Sequence, residues 1–230
     1  GIPVVAIGPD DVEVIELGAA SSRFGWRGQV VELPLGGAFN VSNALVAAEI
    51  VVALGEDPAA VAGALAHVAP VPGRFESIDE GQDFTVIVDY AHTPDGLEAV
   101  LGAARGVTAR SLVVVFGAGG ARDRGSRPAM GAVARPLADR VVVTSDNPRS
   151  EDPEAINSAI VSGMDRSPDL VEPDRRAAIR HALAGARDGD VVVVAGKGHE
   201  GTQTIGDAVT PFDDRDVVRD ELRRLGRHAS

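Results

Sequence analysis

Four short runs of apolar, mostly β-branched residues constrain this chain more than anything else in it. They are Phe84–Val88, Leu112–Phe116, Arg140–Thr144 and Val191–Ala195. Each has the length of one buried strand and is too short for a buried helix. Between and after them the spacing predicts helices over about Pro94–Arg105, Arg127–Leu137, Pro153–Met164, Asp174–Ala186 and Asp214–Leu225. Asp152 before Pro153, Asp174 after Pro173 and Asp213 or Asp214 before the last helix supply N-caps. Doubly buried strands alternating with helices predict an α/β fold with a mostly parallel, doubly wound, Rossmann-like sheet. Aromatic residues make up only 3% of the chain against 44% apolar, so Val, Ala, Leu and Ile must fill the core.

Upstream the pattern changes. Val4–Ile7, Val12–Ile15 and Gln29–Leu33 read as strands, with a turn over Ser21–Gly28. Over Gly36–Leu54 the pattern changes: Phe39–Asn43 opens a helix that closes near Gly55, and another opens at Pro58 with Val61, Leu65 and Val68 on one face, ending before Pro70. So few short strands do not make a domain alone. They read as the edge of a sheet whose remainder lies elsewhere. Pro70-Val71-Pro72-Gly73 stops the second helix and stiffens the connection. The expected domains are therefore 1–72, β-rich and helical, and 73–230.

Several function classes are disfavoured. A formal net charge of −12 argues against nucleic acid or an anionic membrane as partner. The absence of Cys removes disulfide and thiolate chemistry. There is no leader-like start over residues 1–10 and no apolar run of about 18 residues, so a cytoplasmic protein is expected. No His or acidic spacing suits a protein-only metal site. The G-x-G-x-x-G fingerprint fails because Arg122 stands where the third Gly would be. Lys197 lies between two glycines but belongs to no G-x-x-x-x-G-K-[ST], so the chain carries no P-loop.

Each strand ends in a polar cluster. The first is Asp89-Tyr90-Ala91-His92, followed by Thr93 as N-cap and Pro94 at the first helical position. The second is Gly117–Arg124, the third Ser145-Asp146-Asn147-Pro148-Arg149, and the last Gly196-Lys197-Gly198-His199-Glu200. Ligands of open α/β sheets bind at the carboxyl ends of strands, so the clusters should meet on one edge. Pro148 restrains the backbone before Arg149, whose guanidinium is suited to clamp a carboxylate. Glu200 would pair with Arg149 or with an ammonium. A site offering both suits a zwitterionic amino acid, and the plainer alternative is a surface salt bridge. Asn40 and Asn43, three apart at a helix start, either cap and decorate it or read a heterocycle edge.

In this order the motifs resemble the Mur ligases of peptidoglycan synthesis. They are Phe39-Asn40-Val41-Ser42-Asn43, Pro72-Gly73-Arg74-Phe75-Glu76, Val88–Asp95, Gly119–Asp123, Asp146-Asn147-Pro148-Arg149 and Gly196–Glu200. Within the family they are most similar to the branch that adds the third peptide residue. The resemblance implies the tail of a central ATPase domain (1–72) followed by a C-terminal Rossmann-like domain (73–230), with further domains upstream in cis carrying the P-loop. It implies an ATP-dependent amide ligase that joins meso-diaminopimelate to UDP-N-acetylmuramoyl-L-alanyl-D-glutamate through an acyl phosphate. ATP contacts would fall on Asn40, Asn43, Arg74, Asp89, Tyr90 and His92. Amino-acid contacts would fall on Arg122, Asp146, Asn147, Arg149, Gly196 and Glu200. Mg²⁺ would be held mainly by residues outside this chain, and a monomer inactive on its own is expected. Ala121 and Ser126 depart from the Asp and Lys common in the family. The alternatives are a lysine-adding or folylpolyglutamate-type ligase, a non-catalytic binding module, or an oxidoreductase.

Overall fold

The computed structural model describes residues 12–121 and 124–228, and the chain divides into two compact units, Gly1–Pro70 and Val71–Ser230. The break lies inside the Pro70–Gly73 stretch.

In the first unit β1 (Glu13–Leu17), β2 (Ser22–Trp26) and β3 (Gln29–Leu33) form an antiparallel sheet in that order. Helices α1 (Ala38–Ala53) and α2 (Pro58–Leu65) pack on it. Their shared core includes Phe24, Trp26, Val31, Leu33, Leu45 and Leu65. The segment read as a turn over Ser21–Gly28 is instead strand β2, with the turn confined to Arg27-Gly28. Ser22, Phe24 and Trp26 point inward while Arg23 points out, a half-buried alternation that a search for continuous apolar runs passes over. Arg27 and Gly28 both take positive φ, 48° and 74°, as a two-residue hairpin of matching twist requires. With its own helices and core, the sheet is more than the edge strands expected. The Val4–Ile7 run lies outside the described residues.

The second unit holds a six-stranded sheet of β4 (Glu76–Ser77), β5 (Thr85–Asp89), β6 (Leu112–Phe116), β7 (Arg140–Thr144), β8 (Leu170–Glu172) and β9 (Val191–Ala195). The spatial order is β4-β5-β9-β6-β7-β8, with β4 antiparallel and the rest parallel. Helices α3 (Pro94–Arg105), α4 (Ser126–Leu137) and α5 (Pro153–Val161) contact one another in turn and the central strands. Helices α6 (Arg175–Ala184) and α7 (Asp214–His228) share a separate core with Val86, Val113, Val142 and Val192. The alternate strand residues Ile87, Val114, Val143 and Val193 are equally buried, so both faces of the sheet are covered. The predicted fold class is the one observed. Two short edge strands and a hairpin of β10 (Thr202–Ile205) and β11 (Ala208–Pro211) go beyond it.

This order creates the site. Strand β9 lies between β5 and β6, yet the chain leaves β5 and β6 toward α3 and α4 and leaves β9 toward α7 on the other face. Neighbouring strand ends whose exits diverge open a crevice at their carboxyl edge.

Beneath it lies a buried ion pair. Arg175 and Asp214, at the starts of α6 and α7, are both 0% exposed. Arg175 donates Nε and Nη2 to the Asp214 carboxylate at 2.8 and 2.7 Å. It also donates to the Ala195 carbonyl at 2.9 Å and the Ser145 carbonyl at 3.3 Å, at the ends of β9 and β7. Arg175→Met leaves an uncompensated buried carboxylate and two orphaned carbonyls, and is expected to lower unfolding free energy by about 3–5 kcal/mol. Adding Asp214→Leu should recover much of that loss. Urea unfolding of the two variants checks both directions.

Candidate functional site

The four polar clusters do meet. Residues from the exits of β5 (Tyr90, His92), β6 (Ala118, Gly119), β7 (Asp146, Asn147, Arg149) and β9 (Gly196, Glu200) line one cavity of about 310 Å³. Ser126 and Met130 of α4 close its remaining side. Apolar runs that stop at the same level of a parallel sheet deliver their next residues to one rim, which is why the four clusters share a cavity.

Arg149 has a left-handed backbone, φ 53°, unusual for a residue with a Cβ. The β10–β11 hairpin holds it there: its N–H donates to the Thr204 carbonyl at 2.9 Å, and its carbonyl accepts the Gly206 N–H at 2.6 Å. Its Nη1 donates to the Gly120 carbonyl at 2.6 Å, the one side-chain hydrogen bond it makes among the described residues, out of the five N–H groups a guanidinium carries. The predicted restraint is present, but the hairpin supplies it along with Pro148.

Glu200 does not pair with Arg149. It accepts Asn147 Nδ2 at 2.8 Å and lies 3.5 Å from Lys197 Nζ. The bare surface salt bridge is thus absent among the described residues: Glu200 is taken up by Asn147 and Lys197, and the Arg149 guanidinium by the Gly120 carbonyl. Asp146 is buried beside Gly196, and burial pushes its carboxyl above the usual range against the pull of Arg175 and Lys197. Its Oδ1 has no hydrogen-bond partner among the described residues.

The β6 and β7 exits are locked together. The Gly120 N–H donates to the Asn147 carbonyl at 2.8 Å. A Cβ on Gly120 would lie 1.7 Å from the Pro148 carbonyl oxygen, so only glycine allows this approach. Underneath, the buried Arg127 grips both oxygens of Glu151 at 3.0 Å and donates to the Gly119 carbonyl at 3.2 Å. Glu151 in turn accepts the Ala121 N–H at 2.6 Å. This brace escapes sequence reading, since Arg127 looks like an ordinary first-turn helix residue. Arg122 lies outside the described residues.

At the β5 end, Asp89 accepts the Phe75 N–H through Oδ2 and the Ala91 N–H through Oδ1, both at 2.7 Å. Burial raises its carboxyl while these two bonds and Arg74 oppose the rise. Both oxygens are thus engaged by backbone, so Asp89 shapes the Gly73–Glu76 turn more directly than it offers a free ligand group. That turn places the Arg74 guanidinium 4.3 Å over the Tyr90 ring, a cation–π contact. His92 and His199 flank Tyr90 at 4.5 and 5.0 Å between ring centroids. In the first unit, Asn40 donates Nδ2 to the Gly36 carbonyl at 2.8 Å, and Asn43 is exposed. Gly37, not an asparagine, occupies the N-cap of α1.

Among the described residues no group of three or more His, Asp or Glu could hold a metal, and no helix is long and apolar enough to cross a membrane.

The Glu151 brace has a pH signature. Its bonds from Arg127 first, then Ala121, hold its carboxyl down to about 2, against about 4.3 for an unfolded glutamate. A depressed carboxyl stabilises fully above the unfolded value and loses that effect as pH falls through the folded one. The melting-temperature gap between the natural chain and Glu151→Gln should be constant above about pH 5 and close by about pH 2. A gap independent of pH over that range would contradict the brace.

Comparison with known proteins identifies the family. A family model described as Mur ligase, glutamate ligase domain, matches residues 73–198. The UDP-N-acetylmuramoyl-L-alanyl-D-glutamate--2,6-diaminopimelate ligase of Syntrophomonas wolfei is 51% identical over 214 residues, which are 91% of this chain and 44% of that protein. The enzyme of the same name from Geobacillus kaustophilus is 50% identical over 85% of this chain and 40% of its own length. The chain spans less than half the length of these relatives. The structure of a ligase of that name superposes with a TM-score of 0.71 at 37% identity, covering 94% of this chain and 45% of that one. Mycobacterium tuberculosis folylpolyglutamate synthase, solved with ADP and AMPPCP, superposes with a TM-score of 0.58 at 26% identity, over 94% of this chain and 48% of that one. The domain match over more than half of the residues, with relatives about half identical across most of the chain, makes this chain a member of the Mur ligase family.

Proposed function

We propose that this chain is the amino-acid-receiving part of an ATP-dependent ligase that adds meso-diaminopimelate to UDP-N-acetylmuramoyl-L-alanyl-D-glutamate. The observation that carries the reading is the presence of a restrained guanidinium, Arg149, and a carboxylate, Glu200, across one polar cavity. Diaminopimelate has an amino-acid head at each end, so the head remote from the reacting amine needs one cation and one anion. Arg149 takes its carboxylate, and Glu200 with Asp146 takes its ammonium. The Asn147 amide and the Gly196 backbone complete the cradle, and Arg122 joins them by motif match. L-Lysine has no second carboxylate and would leave Arg149 without a ligand partner. The names of the relatives support the same substrate.

ATP supplies the phosphoryl group that activates the acceptor carboxylate, with Mg²⁺ bound mainly by residues outside this chain. The Arg74–Tyr90 stack suits a phosphate-bearing ligand with an aromatic base, with His92 at its side and Asp89 setting the turn. Asn40 and Asn43 are assigned to the adenine end. The protein acts in the cytoplasm, where its nucleotide-linked substrate and ATP are found, and works as a monomer joined to its upstream domains.

In the complete ligase, Arg149→Ala should raise the KM for meso-diaminopimelate by about 30-fold or more, the cost of removing one partner of a buried charged contact. The KM for ATP should stay within about twofold, since the change lies outside the nucleotide contacts. Steady-state assays with meso-diaminopimelate and L-lysine decide it: preference for lysine, with Arg149→Ala neutral, would sink the substrate assignment. The 230-residue chain alone should release no phosphate from ATP above background, and measurable turnover would contradict the division of labour.

A further inference from the structure

Of the 22 Lys and Arg residues in this chain, one is a lysine. A chain that uses arginine at every other basic position has placed its single ammonium at Lys197, where the side chain is 0% exposed. The surroundings explain the choice. Lys197 Nζ lies 2.5 Å from the Thr202 carbonyl, 3.4 Å from Asn147 Oδ1, 3.5 Å from Glu200 Oε2 and 3.8 Å from Asp146 Oδ1. Four oxygens from three segments lie within 3.8 Å of one nitrogen, a demand that a compact ammonium meets and a planar guanidinium fork does not.

Asn147 is oriented by the same contacts. Its Oδ1 faces Lys197 and accepts the Thr204 N–H at 3.0 Å, while its Nδ2 donates to Glu200 Oε2. A flipped amide would set an NH₂ group against the ammonium and an oxygen against the carboxylate. The shortest contacts to the Glu200 carboxylate fall on Oε2, and Oε1 accepts no hydrogen bond among the described residues.

We propose that Lys197 is the positioning residue of the site: its buried ammonium separates Asp146 from Glu200 and fixes the Asn147 amide, so that Glu200 presents Oε1 to the ammonium of the bound amino acid. Lys197 itself touches no ligand. The identity of that ligand rests on the function proposed above, and the positioning does not.

The single lysine makes the test direct. With ¹³C-labelled lysine the chain gives one lysine side-chain signal by NMR. In Glu200→Gln, a partly exposed change that keeps the shape, this signal should move, because a charge beside it has gone. An unmoved signal would overturn the pairing. In Lys197→Met the Asn147 side-chain amide should lose its distinct shift and its protection from solvent exchange. Affinity for meso-diaminopimelate should fall about 30-fold, and Lys197→Arg should not rescue it. A Lys197→Met chain with natural Asn147 signals and natural affinity would refute the proposal. If the natural chain binds no diamino acid in titration calorimetry, the function assigned above is at fault, while the lysine and Asn147 signals still decide the positioning. If Lys197→Met does not fold, the Glu200→Gln spectrum alone decides between a lysine that senses Glu200 and one that does not.

Discussion

The second unit depends on one buried guanidinium. Arg175 joins the starts of two helices to the ends of two strands, through Asp214 on one side and the Ser145 and Ala195 carbonyls on the other. Both charges are removed from water, and such a pair contributes little net stability compared with an apolar core of the same volume. What it does contribute is geometry. The carbonyls it grips immediately precede Asp146 and Gly196, so the levels at which β7 and β9 give way to loop are set from below.

Above that pair the site is a stack of mutual restraints. The hairpin holds Arg149, Gly120 meets the loop of Pro148, and Arg127 with Glu151 ties the β6 exit to the segment after β7. Few of these contacts involve a group that would touch a ligand. They leave the polar atoms that line the cavity few and fixed, the kind of preorganisation that lets a polar site act without rearranging. Arg149 and Ala121 both adopt left-handed backbone at φ 53°, and strain of that kind persists only where the surroundings over-determine it.

Much of this is legible in the residues. The parallel sheet follows from apolar runs such as Leu112–Phe116, and the limits of helix α3 can be read to the residue because Thr93 and Pro94 mark its start. The common rim follows from where the runs stop. Strand β2 escapes because Ser22, Phe24 and Trp26 alternate with other residues, and β10–β11 because its residues are mostly exposed. Pairings across loops are out of reach. Whether Glu200 meets Arg149 or Asn147 is a matter of ångströms between segments about 50 residues apart in the chain. Motif matching proposes ligand-facing positions but says nothing of the brace between Arg127 and Glu151, and it passes over Lys197 inside its own motif. A count of lysines would single out the last of these.

The close approach of Gly120 to Pro148 has a consequence for how such sites diversify. Two loops in van der Waals contact through bare backbone cannot be exchanged independently between related proteins. Transplanting the Asp146–Arg149 segment into a scaffold whose facing loop carries any side chain at the Gly120 position would wedge the two apart and unseat the guanidinium. A graft intended to alter selectivity must therefore carry both segments together, and recombination within the family would be expected to inherit them as one block.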